Sequence, residues 1–167
     1  MAEQIIIDGY NLIHRVEELR AVALQSLEEA RRRLVFKLQG FLRGKKLRAT
    51  IVFDGEHVGH PSRKMMDTIE IIYTLPPQKA DDVIRRIVQK STNRRNITVV
   101  SSDNPVKDYA RTLGANTMRS EEFYRKYLCL EEKFEDSAEP PAISRQELAE
   151  WLRLFGAHPE GDKDEQK

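Results

Sequence analysis

The stretch "IIIDGYNLIH", residues 5–14, decides how the rest of the chain is read. A short β-branched run makes a buried strand, and Asp8, Gly9 and Asn11 arrive where it stops. Such an aspartate is either a turn residue that closes the strand or a carboxylate held at a sheet edge for chemistry. Other strand ends bear on the choice. "IVFD" closes on Asp54 and "VVSSD" on Asp103, so the pattern recurs along the chain.

Around these endings, short apolar runs alternate with segments of helical period, the signature of an α/β fold with a mainly parallel sheet and crossover helices. Strands are expected over Gln4–Ile7, Ala49–Phe53, Thr68–Tyr73, Ile97–Val100 and Asn116–Met118. Helices are expected over Leu24–Leu42, Ala80–Lys90, Pro105–Leu113 and Glu121–Phe134. The first carries Leu24, Leu27, Leu34, Leu38 and Phe41 at helical spacing. Residues 1–135 then form the main domain, and Pro140 and Pro141 mark a linker at 136–143. Ser144 opens a capping box for a short C-terminal helix at 144–156, whose Leu148, Trp151, Leu152 and Phe155 are expected to dock on the domain. Residues 157–167 read as a disordered acidic tail.

A length of 167 residues suits one domain. No run approaches the roughly 20 apolar residues of a membrane span. The N-terminus lacks the basic-then-apolar pattern of a secretory signal, so a cytoplasmic protein is expected. Cys129 stands alone, which leaves no internal disulfide and no thiol set for zinc. The net charge of +1 conceals an asymmetry: residues 1–130 hold 23 Lys and Arg against 16 Asp and Glu, whereas residues 131–167 hold 5 against 11. A basic body suits a polyanion such as nucleic acid, and it also serves solubility.

In an open α/β sheet the C-terminal ends of parallel strands share one edge, so Asp8, Asp54 and Asp103 should gather there. The helix "ADDVIRRIVQK" adds a fourth carboxylate. With Ala80, Val83, Ile84, Ile87 and Val88 facing inward, Asp81 falls at the border of the buried stripe and Asp82 nearly opposite. Each acid has a structural alternative: Asp8–Gly9 and Asp54–Gly55 suit turns, and Asp81 or Asp82 favours a helix N-terminus. Asp103 is harder to dismiss, because Asn104 before Pro105 supplies a helix cap and leaves Asp103 free. Carboxylates brought together repel unless a cation neutralises them, and an all-oxygen set suits Mg²⁺ or Mn²⁺ better than zinc. Metal-assisted hydrolysis of a phosphodiester is the chemistry this set fits.

Neighbouring residues extend the candidate site. Asn11 either caps the following helix or orients water or phosphate. Ser101 and Ser102 either bond a phosphate or carboxylate or satisfy local backbone groups. The polar stretch "DGEHVGHPSRK" reads as a mobile rim whose Arg63 and Lys64 meet substrate phosphates, with metal ligation by His57 and His60 as the alternative. Lys79, Arg85, Arg86, Lys90, Arg94 and Arg95 lie around Asp81 and either bind RNA phosphates or solvate a helix face.

Taken in order, "IIIDGYNLIH", "IVFDG", "ADDVIRRI" and "VVSSDNPVKDYARTLGA" resemble the YacP-like NYN-domain proteins, a bacterial branch of the PIN-like nucleases, over residues 4–130. The resemblance implies a PIN-like three-layer α/β/α sandwich and a metal-dependent endoribonuclease acting on single-stranded RNA. It also links the target to mRNA on the ribosome; no membrane and no DNA are expected as partners. By motif match it puts the acidic site on Asp8, Asp81, Asp82 and Asp103, with Asn11 beside it and Asp54 in support. The Pro-Pro of "IYTLPPQKADD" and the acidic tail depart from the shared pattern. A non-catalytic RNA- or ribosome-binding module of the same fold is the rival reading, although such a module has no reason to keep every acid. A phosphatase would want a second aspartate two residues after Asp8, where Tyr10 stands.

Overall fold

The computed structural model describes residues 3–55 and 62–129, together with Gln146. Met1–Glu132 forms one compact unit and Lys133–Lys167 a second. His57, His60, the linker, the C-terminal helix apart from Gln146, and the acidic tail lie outside the described residues, as does the end of the helix expected to reach Phe134.

The strands are β1 (Glu3–Asp8), β2 (Leu47–Asp54), β3 (Ser62–Met66), β4 (Ile69–Thr74), β5 (Ile97–Val100) and β6 (Asn116–Met118). They form one sheet in the order β3-β4-β2-β1-β5-β6. All pairings are parallel except that of β3 with β4. From central β1 the chain steps outward through β2 to β4, then crosses back to the other side of β1 for β5 and β6. The strand order therefore reverses beside β1, and in open α/β sheets that reversal opens a crevice at the strands' C-terminal ends. Asp8 is the last residue of β1, with Val52 opposite it on β2.

Ile5, Ile6 and Ile7 are all buried, as expected of a strand covered on both faces. Ile6, Val52, Ile72 and Val99 pack with Val83, Ile84 and Val88 of helix α4 (Ala80–Lys90) and with Val106 and Ala110 of α5 (Asn104–Thr112). Their strand neighbours Ile7, Ile51 and Ile71 point to the opposite face and are equally buried. There α1 (Gly9–Arg15) lies against β1 and β2, with α2 (Glu17–Gln25) and α3 (Leu27–Leu42) packed on it. The result is an α/β fold of three layers around a mostly parallel sheet. Among the described residues no helix is long and apolar enough to cross a membrane.

Two expectations need correction, and the two readings left open for Asn11 are narrowed. The helix after Asp8 begins at Gly9, before Asn11, because the turn chemistry of Gly and Asn yields to packing of Leu12 and Ile13 in the core. The helix expected from Leu24 starts at Leu27, since the Ser26 hydroxyl accepts from the Glu29 N–H at 3.1 Å and caps a new helix. Leu24 belongs to α2 and is 86% exposed. Arg63 and Lys64, expected on a mobile rim, belong to strand β3 and pair in register with Ile72 and Ile71. After β6, α6 (Ser120–Phe123) passes into a π-helical turn at Tyr124–Leu128.

Candidate active site

Asp8 is 8% exposed. Its carboxyl is pushed up to about 7, first by burial, then by the charge of Asp81, with smaller contributions from Asp54 and Asp103; the Asn11 backbone N–H acts in the opposite direction. The fold thus brings Asp54, Asp81 and Asp103 within electrostatic reach of Asp8. Asp81 is raised too, by burial first and then by Asp103, while the Arg85 guanidinium pulls it down and Asp54 and Asp82 push it up. As the helical wheel requires, Asp81 is half-buried and Asp82 exposed.

Three of these acids also hold backbone. Asp54 Oδ1 accepts from the Thr74 hydroxyl at 3.2 Å and from the Ala80 N–H at 2.7 Å, so the end of β2 tethers the start of α4 and thereby places Asp81. Asp82 Oδ2 accepts from the Lys79 N–H at 3.1 Å. Asp103 is itself the N-cap of α5, with Oδ1 accepting from the Val106 N–H at a long 3.4 Å. That corrects the expected capping by Asn104, which is the first helical residue and leaves Pro105 at the second. Among the described residues no three His, Cys, Asp or Glu side chains already stand at metal-holding distances.

Asn11 lies inside α1 and is not a cap. Its Oδ1 accepts from the Ser102 N–H and from the Ser120 hydroxyl, both at 2.8 Å, and so pins the loop after β5 to α1 and α6. The Ser101 hydroxyl is fully buried; it donates to Asp8 Oδ2 at 3.5 Å, the outer limit of such a bond, and accepts from the Asp103 N–H at 3.1 Å. The Ser102 hydroxyl donates to Glu121 and accepts from the Ser120 N–H at 3.1 Å. Both serines therefore bond a carboxylate and a backbone N–H, which is local for Ser101 and 18 positions away for Ser102. Burial pushes the Glu121 carboxyl up, but the Ser102 hydroxyl, its own N–H, Arg15 and Arg119 outweigh this and hold it below the usual range. Ser120 and Glu121 escape a reading of the sequence, because "RSEEF" looks only like a helix opening.

The basic residues separate into paired and open groups. Arg63 Nε lies 3.0 Å from Glu70 on the middle of β4, and Lys64 is half-buried. Arg94 donates to the carbonyls of Val88 at 3.2 Å and Gln89 at 2.8 Å, closing the end of α4. Arg85 lies over the Tyr109 ring, 4.8 Å from its centroid. Lys79, Arg86, Lys90 and Arg95 are exposed.

Carboxylates gathered where a parallel sheet reverses also occur outside nucleases, so the relatives matter. Residues 5–157 match the model of the YacP-like NYN domain. The chain belongs to this family. NYN domains are part of a nuclease superfamily, and such nucleases generally use divalent metal ions. The YacP protein of Bacillus subtilis (strain 168) is 28% identical over 167 residues, covering 96% of this chain and 98% of that protein. The crystal structure of Rae1 (YacP) from Bacillus subtilis superposes with a TM-score of 0.65 at 25% identity, over 99% of both chains. A mutant form of the same Bacillus subtilis protein gives 0.64 at 25% identity, over 92% of each chain. A hydrolase of nucleic acid is the kind of protein this family predicts.

Proposed function

We propose that this YacP-like NYN protein is a metal-dependent endoribonuclease that hydrolyses phosphodiester bonds in single-stranded RNA. One observation carries the reading: Asp8 ends the central strand where the sheet order reverses, and Asp54, Asp81 and Asp103 all reach it electrostatically. Four mutually repelling carboxylates with no sulfur or imidazole among them suit a hard divalent cation. Asp8, Asp81 and Asp103 would hold Mg²⁺ or Mn²⁺, with Asp54 in support. The chemistry such an ion supplies is polarisation of a phosphoryl oxygen and acidification of water.

The chain's own residues do the rest. Ser101 steadies Asp8 Oδ2, Asp54 sets the position of α4, and Asn11 fixes the loop that delivers Asp103. Exposed Lys79, Arg86, Lys90 and Arg95 on α4 and its flanks offer phosphate contacts. The family resemblance favours mRNA on the ribosome as the target, in the cytoplasm. A second reading, an RNA-binding module without cleavage, draws support from the backbone bonds that occupy Asp54, Asp82 and Asp103.

The experiment is incubation of single-stranded RNA with the wild type and with Asp8→Asn in Mn²⁺ or Mg²⁺, with circular dichroism as the fold control. The wild type is expected to cut and the folded variant to fail. Full activity of the folded Asp8→Asn protein would sink the assignment, and an inactive wild type that still binds RNA would favour the second reading.

A further inference from the structure

We infer that the groove between α4 and α5 is a nucleotide subsite, in which one base of the RNA strand stacks beside the acidic edge. The identity of the strand as RNA rests on the nuclease reading. The groove has a volume of about 520 Å³ and is lined in part by Gln78, Arg85, Arg86, Gln89 and Tyr109. That volume falls within the range of small-ligand sites.

Arg85 already lies over the Tyr109 ring, with the guanidinium carbon 4.8 Å from the ring centroid. Bases are held in this manner on aromatic rings and arginine planes, whatever their identity. Arg85 Nε is buried and makes no hydrogen bond, so the guanidinium carries an unmet donor beside the ring. An arginine serving only to solvate a helix would keep that atom in water. Gln78 and Gln89, which line the groove, add amides that are each both donor and acceptor. Exposed Arg86 supplies charge for the adjoining phosphate. The groove is contiguous with the acids: Asp82 also lines it, and Arg85 acts directly on the charge of Asp81. A strand stacked here would therefore pass its backbone toward Asp81 and Asp8.

The test measures fluorescence anisotropy of a labelled single-stranded RNA with the full chain in EDTA, then steady-state cleavage in Mn²⁺. Tyr109→Ala is expected to weaken binding about tenfold and Tyr109→Phe by no more than about twofold, as loss and retention of one stacked base require. In Mn²⁺ the Ala variant should raise KM and leave kcat near wild type. RNA with abasic positions should bind the wild type as weakly as intact RNA binds Tyr109→Ala. If Tyr109→Ala does not fold, Gln89→Leu and Arg86→Ala carry the same comparison from exposed positions. Equal affinity of wild type and folded Tyr109→Ala overturns the subsite and leaves the nuclease reading standing. A wild type that cuts nothing overturns the nuclease reading, while the metal-free binding still reports on the groove.

Discussion

Asn11 Oδ1 accepts from the Ser102 backbone N–H at 2.8 Å across 91 positions of sequence, and the Ser120 hydroxyl donates to the same oxygen. Asn11→Ala would leave both donors unmet, and Ser120 is fully buried. A loss of about 1–3 kcal/mol is expected. Asn11→Asp keeps the acceptor and should recover most of that loss in urea unfolding. An Ala variant as stable as wild type would remove Asn11 from its positioning role; an Asp variant that is stable yet inactive on RNA would show that the amide N–H groups also act.

Asp8 links stability to pH. Its folded pKa, about 7, lies above the ordinary carboxyl value of 3.8, so the folded state favours the protonated form. Its contribution is therefore fully present below the unfolded value and is lost as pH rises through about 7. In EDTA, Asp8→Asn should outlast the wild type in thermal melts at pH 8. The gap should grow between pH 4 and 7, by no more than about 1.4 kcal/mol per pH unit, and level off above. A gap that does not change with pH would contradict the raised value.

On the proposed reading, in which Asp8 holds a cation, the same proton must leave when the cation binds. Mn²⁺ affinity, followed by calorimetry in buffers of different ionisation enthalpy, should rise from pH 6 to pH 8 with proton release. Affinity flat across that range would show that Asp8 is not a ligand.

Gly9 carries no side chain because the Phe53 ring occupies its space. A Cβ at Gly9 would stand 2.3 Å from Phe53 Cε1, and Phe53 is fully buried. Gly9→Ala should cost about 1–3 kcal/mol through forced movement of the ring, with chemical denaturation as the measure. A wild-type midpoint would mean that the ring shifts freely.

The two neighbouring arginines should part company. Arg94→Ala removes two bonds to helix-terminal carbonyls and should lower the melting temperature with little change in the salt dependence of RNA binding. Arg95→Ala, exposed, should leave the melting temperature alone and reduce the salt slope by about one. A reversed pattern would reassign both.

Much of this arrangement is legible in the sequence wherever local chemistry and tertiary packing agree. Helix α4 has the bounds its apolar spacing predicts, and the parallel strands follow from β-branched runs with both faces buried. Asp81 falls at the half-buried border for the same reason. Strand β3 escapes such a reading because "SRKMM" is polar and pairs on one side only, so its stability comes from β4 and not from its own pattern. Asp103 reads as free because Asn104–Pro105 makes a plausible cap one residue later; only the helix register decides between them. Tyr109 leaves no signal at all, since its value lies in the position of Arg85 on another helix.

β1 lies in the interior of the sheet, hydrogen-bonded to β2 on one side and β5 on the other, so it cannot open without breaking two ladders. The carboxylate proposed for the chemistry is thus anchored to interior backbone, whereas Arg86 and Gln89 are exposed on α4. With the proposed subsite in that groove, target preference would drift, or be engineered, by exchanging its side chains one at a time without disturbing the carboxylates. A library randomised at positions 78, 86 and 89 would therefore sample new RNA preferences on an unchanged catalytic frame.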